Sequence, residues 1–562
     1  MFSRVRRWLH APAAGGRKGP VANAMPDAPA AGQSLELFRQ GVAYYRDGDL
    51  GRAQSCMDEA LARQHDLAEA HFYLAKIHHK RAEPEEATDC LLLATAFKPD
   101  LAEAWFYLGA IDLERKRYAQ ARRNLETALR IEPGLAKAHN ALGAVALGLG
   151  AMQEAAGHFE RALETQPDFA LAHSNLGYVL LRELGDYERG IEHLETALRL
   201  APDDPNVRSN HTLVSAHRGL LDEVIATCDE LLARDPNHHE ARLNRALAML
   251  KLGRFAEGWA DYEARKHARS SYIPRPFKFA EWNGEALEGR TILVYAEQGL
   301  GDEIMFASCV PDLTGRAGRC VLECSPRLQP LFARSFAGVR VCAGEQDDPD
   351  PGWLRTAGRV DFQVACGSLP GYFRRRLTDF PSRQGYLHAD AGLTAHWRQR
   401  LLELGSGLKV GISWHGGTHH TSRAERSIEL TALEPLLRTS GCAFVSLQYG
   451  SCKNELATLQ RDGGICVWHW PDAIADYDET AALVSALDLV ISVDTSVAHL
   501  SGALGKSTWV FVPSNPDWRY MTAGERMPWY PSLRLFRRDS NAGWLPVIER
   551  ARAELEHFAR PA

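Results

Sequence analysis

From Ser34 onward the chain repeats itself every 34 residues, and this period constrains its fold more than any other feature. In that register Gly41, Ala75, Gly109, Gly143 and Gly177 hold the eighth position, where a small residue lets a neighbouring helix approach closely. Ala53, Ala87, Ala121 and Ala155 hold position 20, Ala60, Ala94, Ala128 and Ala162 hold position 27, and Pro99, Pro133 and Pro167 close units at position 32. A one-residue insertion near Leu184 shifts the phase, after which Gly190, Ala197 and Pro202 resume it. Two degenerate units follow, ending with Pro236 and with the segment Gly253 to Ala268. Such a unit is a pair of antiparallel helices that cannot bury its apolar face alone, so the units must stack.

This pattern resembles the tetratricopeptide repeat, and the resemblance covers residues 34–268 in about seven units, implying an all-α solenoid. Arrays of this kind line an extended groove with their first helices, and the groove implies a protein or peptide partner. Asn175, Asn210 and Asn244 stand at the sixth position of three consecutive units. An amide both donates and accepts, so a ladder of them pairs with a peptide backbone without reading its sequence. A similar ladder lines the protein O-GlcNAc transferases, which are also repeat arrays fused to a sugar-transferring domain. The other reading is three solvated surface amides, since the earlier units carry Arg39, Tyr73, Tyr107 and Ala141 there.

At 562 residues, with 45% apolar and 24% charged side chains, the chain has the balance of a folded globular protein of several domains. A net charge of -6 gives no basic footprint for nucleic acid. Only residues 1–33 are basic at their start, with Arg4, Arg6 and Arg7; they lack the apolar core of a secretory signal and read as a disordered tail, with weak contact to a membrane surface as its one functional reading. No run approaches 18 apolar residues. The eleven cysteines are scattered, and Cys320 and Cys324 have neither zinc nor redox spacing, which suits reduced thiols in a cytoplasmic protein.

After a linker at 269–288 the helical period stops and strands begin. Thr291 to Ala296 reads as a buried strand running into Gln298-Gly299-Leu300-Gly301-Asp302 and a helix; Cys320–Cys324, Val339–Ala343 and Val360–Ala365 are further strand candidates. A second lobe starts at Leu408, where LKVGISW runs into His415-Gly416-Gly417; LTALEPLLRT reads as a helix, AFVSLQY and ICVWHW as strands, and LVISV as a strand ending in Asp494-Thr495-Ser496. The alternation predicts two Rossmann-like lobes, 289–400 and 408–562, the latter closed by a helix at VIERARAELEHF.

The segments GLGDEIMFASCVP and DTSVAHLSGALGKSTWVFVP resemble the Gly-Asp turn and the Asp-Thr-x-x-x-His motif of heptosyltransferase-related proteins of the GT-B fold; GWADYEAR, GISWHGG, RSIEL, PDWRY and WYPSLRLFR resemble stretches of the same group. The resemblance implies a glycosyltransferase in which the first lobe faces the acceptor and the second holds a nucleotide-sugar donor, with no cofactor or metal. Asp302 would then be the general base on a turn shaped by Gly299 and Gly301, although an Asp at this place also caps the following helix. Asp494, Thr495, Ser496 and His499 would hold the donor diphosphate at a helix start, joined by His415, Gly416 and Arg426. For His499 a satisfied helix histidine is the alternative. The group carries a lysine near here; this chain has none between Val410 and Arg438, and Arg423 or Arg426 would replace it. Gln448 and Tyr449, at a strand end, would bracket the base or simply pack.

Three other motifs fail on inspection. GALGKST has Leu500 where a phosphate-binding loop needs its first glycine, QGLGDEI has Ile304 where a dinucleotide fingerprint needs its third, and Asp348-Pro349-Asp350 lies in a solvated loop without a flanking strand. The expectation is a metal-independent sugar transferase whose repeats select a protein or glycan acceptor, the alternative being a scaffold whose α/β lobes have lost turnover.

Overall fold

The computed structural model describes residues 28–268, 275, 277–348, 350–417, 425–539 and 542–559. Arg4, Arg6, Arg7, Pro349 and Arg423 therefore lie outside the described residues. The chain divides into two compact units, the first holding residues up to Val179 and Glu195–Ala201, the second Leu180–Leu194 and Pro202–Ala562.

In the first unit α1 (Ala28–Arg46) pairs with α2 (Leu50–Arg63), α3 (Ala68–Lys80) with α4 (Pro84–Phe97), α5 (Ala102–Glu114) with α6 (Tyr118–Ile131), and α7 (Ala136–Gly148) with α8 (Met152–Thr165), followed by α9 (Ala170–Tyr178). Helix α1 starts at Ala28, so the last residues of the expected tail are helical. The recurrent small residues do the packing: all eight alanines at positions 20 and 27 of the first four repeats are fully buried. At the eighth position a Cβ on Gly109 would meet Leu125 at 2.5 Å and one on Gly143 would meet Phe159 at 2.5 Å, so in these repeats the first helix comes this close to the second because the residue has no side chain. The turn inside each repeat passes through a left-handed residue, Gly48, Ala82, Lys116 and Gly150 at a spacing of 34, then Gly185, Gly219 and Gly253. The single step of 35, from Gly150 to Gly185, is the inserted residue. It is absorbed by a π-helical stretch at Val179–Leu184, whose wider turn accommodates one extra residue.

The chain continues through α10 (Tyr187–Leu200). In the second unit α11 (Pro205–His217) pairs with α12 (Leu221–Arg234) and α13 (His239–Lys251) with α14 (Phe255–Tyr262), which leads into the α/β half. The first sheet has order β1-β5-β2-β3-β4 and is parallel throughout, with β1 Ala280–Glu281, β2 Thr291–Tyr295, β3 Arg319–Cys324, β4 Arg340–Ala343 and β5 Phe362–Ala365. The second runs β11-β12-β10-β9-β6-β7-β8, with β6 Leu408–Ser413, β7 Cys442–Ser446, β8 Val467–Trp468, β9 Leu489–Val493, β10 Thr508–Val512, β11 Arg526–Met527 and β12 Tyr530–Arg537. Only β11 is antiparallel, and β9 and β10 are buried at every residue, as in sheets covered on both faces.

Several elements differ in extent from the sequence reading. The segment 269–288 is not all linker: β1 pairs with β5, and Trp282 and Leu287 sit in the core. ICVWHW forms only the two-residue β8, and LTALEPLLRT breaks into a 3-10 turn and a short helix, Glu434–Leu437, because Pro435 restarts it. The C-terminal helix α17 (Leu545–Phe558) forms as read.

In each sheet the chain winds outward from one strand, β2 or β6, and returns to its other side, so the strand order reverses between β2 and β5 and between β6 and β9. Ligands of open α/β sheets bind beyond the carboxyl ends of strands at such reversals. Helices α15 (Leu300–Ala307) and α16 (Ser496–Ala503) start there, after β2 and β9.

Candidate functional site

The turn after β2 is sharp because Gln298 takes a left-handed φ of 65°, uncommon for a residue with a side chain. It is held by its amide, which donates to the Tyr262 hydroxyl at 3.0 Å, and by Gln346, which donates to its carbonyl at 2.8 Å. Asp302 sits at the third position of α15 and caps it: its Oδ2 accepts from the Gly299 N–H at 3.3 Å. Its other oxygen is 3.0 Å from the Arg519 guanidinium, which also contacts Asp517 at 3.1 Å. Burial pushes the Asp302 carboxyl above its ordinary range, and Arg519 opposes that shift.

The turn after β9 comes to the same place. A Cβ on Gly301 would lie 3.1 Å from the His499 ring and 3.6 Å from Ser496 Cα, so the starts of α15 and α16 touch, and glycine is what allows it. Asp494, buried, accepts from Tyr520 Oη at 2.7 Å and pairs with Arg426 Nε at 3.0 Å, while Arg426 also donates to the Asp494 carbonyl at 2.7 Å. Gly416 completes the crossing: a Cβ there would meet the carbonyls of Arg426 and Asp494 at 2.6 and 2.8 Å. Asp302, Arg519, Asp517, Asp494, Arg426 and Tyr520 thus form a network, buried at Asp494 and Tyr520 and open to solvent at Asp517, with more carboxylates than guanidiniums.

The remaining expected residues divide by what they already bind. Thr495 is buried and caps α16, its hydroxyl accepting from Val497 N at 3.2 Å and lying 3.1 Å from Ser492 Oγ. His499 is buried, its Nδ1 is 3.1 Å from Tyr530 Oη, and its Nε2 has no hydrogen-bond partner among the described residues. Burial first, then Arg519 and Arg426, hold its pKa well below the usual histidine value, so the ring is neutral. His415 is 2.7 Å from Glu455 Oε1. Gln448 spends its carbonyl on the N–H groups of Trp414 and His415, at 2.9 and 2.8 Å, so it splices the ends of β6 and β7 and leaves no acceptor for a base. Tyr449 is exposed, its hydroxyl donating to the Gly417 carbonyl at 3.3 Å.

Among the asparagines, Asn175 donates to Asn140 at 3.0 Å within the first unit. In the second unit Asn244 donates to the Ser209 carbonyl and the Thr212 hydroxyl at 3.2 and 3.0 Å, and Asn210 is half-buried. Sequence reasoning passed over Asn140, one position out of register, and also Arg519, Asp517 and Tyr520, which PDWRY contains only as a likeness.

Behind the first turn lies a buried carboxylate pair. Glu303 accepts from Ser325 N at 2.8 Å, and burial, then Glu323 and Asp302, push its pKa up to about 8; Glu323 pairs with Arg275 and is pushed up to about 6. Folded Glu303 keeps its proton above the ordinary 4.5, so its stabilising contribution is complete below about pH 4.5 and is lost as pH rises through about 8. Glu303→Gln, which keeps the acceptor for Ser325, is expected to melt several degrees above wild type at pH 8.5 and to lose that advantage at pH 4.5; equal gaps in melting scans at both pH values would refute this.

No group of three His, Cys, Asp or Glu side chains among the described residues is placed to hold a metal, and none of their helices is long and apolar enough to cross a membrane.

Models of the tetratricopeptide repeat match residues 38–102, 102–135 and 141–205. The helical half is a tetratricopeptide-repeat array. Protein FlbA of Caulobacter vibrioides is 34% identical over 397 residues, covering 68% of this chain, which in turn spans 66% of that relative's length. Because the matched stretch is longer than the whole tetratricopeptide array, the likeness extends into the α/β half. Among solved structures, PilF of Pseudomonas aeruginosa is 19% identical, covering 38% of this chain and 97% of that one with a TM-score of 0.34. YrrB, described as a tetratricopeptide-repeat protein with an unusual peptide-binding site, is 20% identical, covering 31% and 89% with a TM-score of 0.27.

Proposed function

We propose that this chain is a cytoplasmic glycosyltransferase of the GT-B fold, moving a sugar from a nucleotide-sugar donor to a protein or glycan acceptor chosen by its repeats. One observation carries the reading: the strand-order reversals of two parallel sheets deliver the starts of α15 and α16 to the same spot, with Gly301 against His499 and Arg519 reaching Asp302. A carboxylate from one lobe then faces the diphosphate site of the other. The donor pyrophosphate lies at the β6–β9 reversal, where the start of α16 and the guanidiniums of Arg426 and Arg519 stabilise the leaving group without need of a metal. In the absence of ligand those guanidiniums are neutralised by Asp494, Asp517 and Asp302, and the diphosphate competes with these carboxylates for them.

The same closed network favours a second reading, a scaffold whose lobes no longer turn over, because Thr495 and Gln448 are committed to internal bonds. A thermal-shift screen against UDP, GDP, ADP, CMP and dTDP sugars separates the two. A ligand that binds the native state raises the melting temperature, by several degrees at a hundredfold excess over Kd. One nucleotide class is expected to do so and to be slowly hydrolysed; a shift without turnover supports the scaffold, and no shift with any donor removes the transferase reading.

A further inference from the structure

A concavity of about 640 Å³ shares no residue with this network. Its wall is built from Ala256 on α14, from Asp312 and Arg316, and from the run Tyr372 to Arg376 with Asp379. Four arginines therefore face two aspartates.

The pairing inside it is unequal. Arg374 is 2% exposed and is fixed from three sides: it pairs with Asp312 at 2.7 Å and donates to the carbonyls of Ser308 at 3.0 Å and Phe373 at 2.8 Å. Its Nε is buried with no hydrogen-bond partner among the described residues, a donor that burial makes costly to leave unmet. Arg376 is paired with Asp379 at 2.9 Å. Arg316 and Arg375 are exposed and take part in no ion pair among the described residues; the Arg316 guanidinium is parked over the Phe373 ring at 4.9 Å, which orients it without neutralising it. Two positive charges are thus left uncompensated at the rim of a cavity of ligand size, with Tyr372 as an apolar wall.

We propose that this cavity binds the phosphoryl end of a small phosphorylated molecule, Arg316 and Arg375 closing on the dianion over the fixed, positively charged floor that Arg374 provides. Planar guanidiniums bind phosphate through paired hydrogen bonds, and two of them match two negative charges. The site is independent of the donor site, and through Ala256 its occupant touches the last repeat, so binding there reports directly to α14.

The test is calorimetric titration of the full chain with inorganic pyrophosphate at constant ionic strength, with acetate as a monoanion control. Wild type is expected to bind pyrophosphate and to ignore acetate. Arg316→Ala/Arg375→Ala, both changes at exposed, unpaired positions that leave the fold alone, is expected to lose this binding by at least about a hundredfold, roughly tenfold per charge-assisted contact. Arg316→Lys/Arg375→Lys restores it in part, because charge returns without the paired donors. A nucleotide-sugar shift, if wild type gives one, persists in the alanine variant, which separates this site from the donor site. Absence of pyrophosphate binding by wild type, or undiminished affinity and stoichiometry in the alanine variant, overturns the proposal.

Discussion

An Arg265→Ala chain is expected to lose about 3–5 kcal/mol of stability, the typical cost of breaking a buried ion pair from one side. Arg265 follows α14, is 3% exposed, and places its guanidinium 2.6 and 2.9 Å from the two oxygens of Glu297, which is 1% exposed. It also donates to Ser368 at 2.9 Å, while the Gly367 N–H donates to Glu297 at 2.8 Å, so the reversal between β2 and β5 is filled by a side chain from the last repeat. Removing the arginine leaves a buried carboxylate with only the Gly367 N–H and a 3.5 Å contact from the Gln298 amide, and no positive charge on it. Nearby, Trp259 of α14 donates to the Arg374 carbonyl at 2.9 Å and packs its ring against Trp518 at 5.3 Å and Trp529 at 6.2 Å. The last repeat is therefore part of the core of the α/β half. A fragment of residues 202–562 is expected to unfold cooperatively in urea, whereas 289–562, lacking Arg265 and Trp259, is expected to aggregate or to show no cooperative transition. Arg265→Met/Glu297→Leu, which removes both charges, should recover most of the loss. A cooperative 289–562 fragment, or an Arg265→Ala chain as stable as wild type, would show that the repeats merely adjoin this half.

What was legible follows from how local the determining interactions are. Each repeat position is set by a partner within about 16 residues, as Gly109 is by Leu125, so a period of 34 carries the packing with it; the insertion near Leu184 was visible for the same reason and needed only the π-helical turn to explain it. The strand ends were legible because buried parallel strands read as continuous apolar runs that stop at glycine turns. Partner choice at those ends was not. Arg519 meets Asp302 across more than two hundred residues, and nothing near PDWRY marks its arginine as the one that crosses between lobes. Gln448 looked available at a strand end because sequence does not show that two backbone N–H groups converge on it. Arg265 ends the GWADYEAR stretch, and only the fold brings Glu297 to it.

Asp302→Asn is expected to keep the fold and donor binding while lowering sugar transfer, or donor hydrolysis in the absence of an acceptor, by about 10²–10⁴-fold, the usual contribution of a general base. Asparagine still offers an oxygen to the Gly299 N–H, so the helix cap survives, and what is lost is the charge. This variant separates the cap from the proposed general base: a residue that only caps would show no rate loss in the amide. Arg519 complicates the base, since an ion pair 3.0 Å away lowers basicity, while burial works in the opposite sense and prevails. A donor diphosphate that draws Arg519 away from Asp302 would let the carboxyl rise further and become a stronger base when the leaving group is in place. The pH profile reads this directly. With donor bound, activity should fall as pH drops through a pKa above the ordinary aspartate value, and that acid limb should vanish in Asp302→Asn; an acid limb unchanged in the variant would move the base elsewhere and leave Asp302 as the cap of α15.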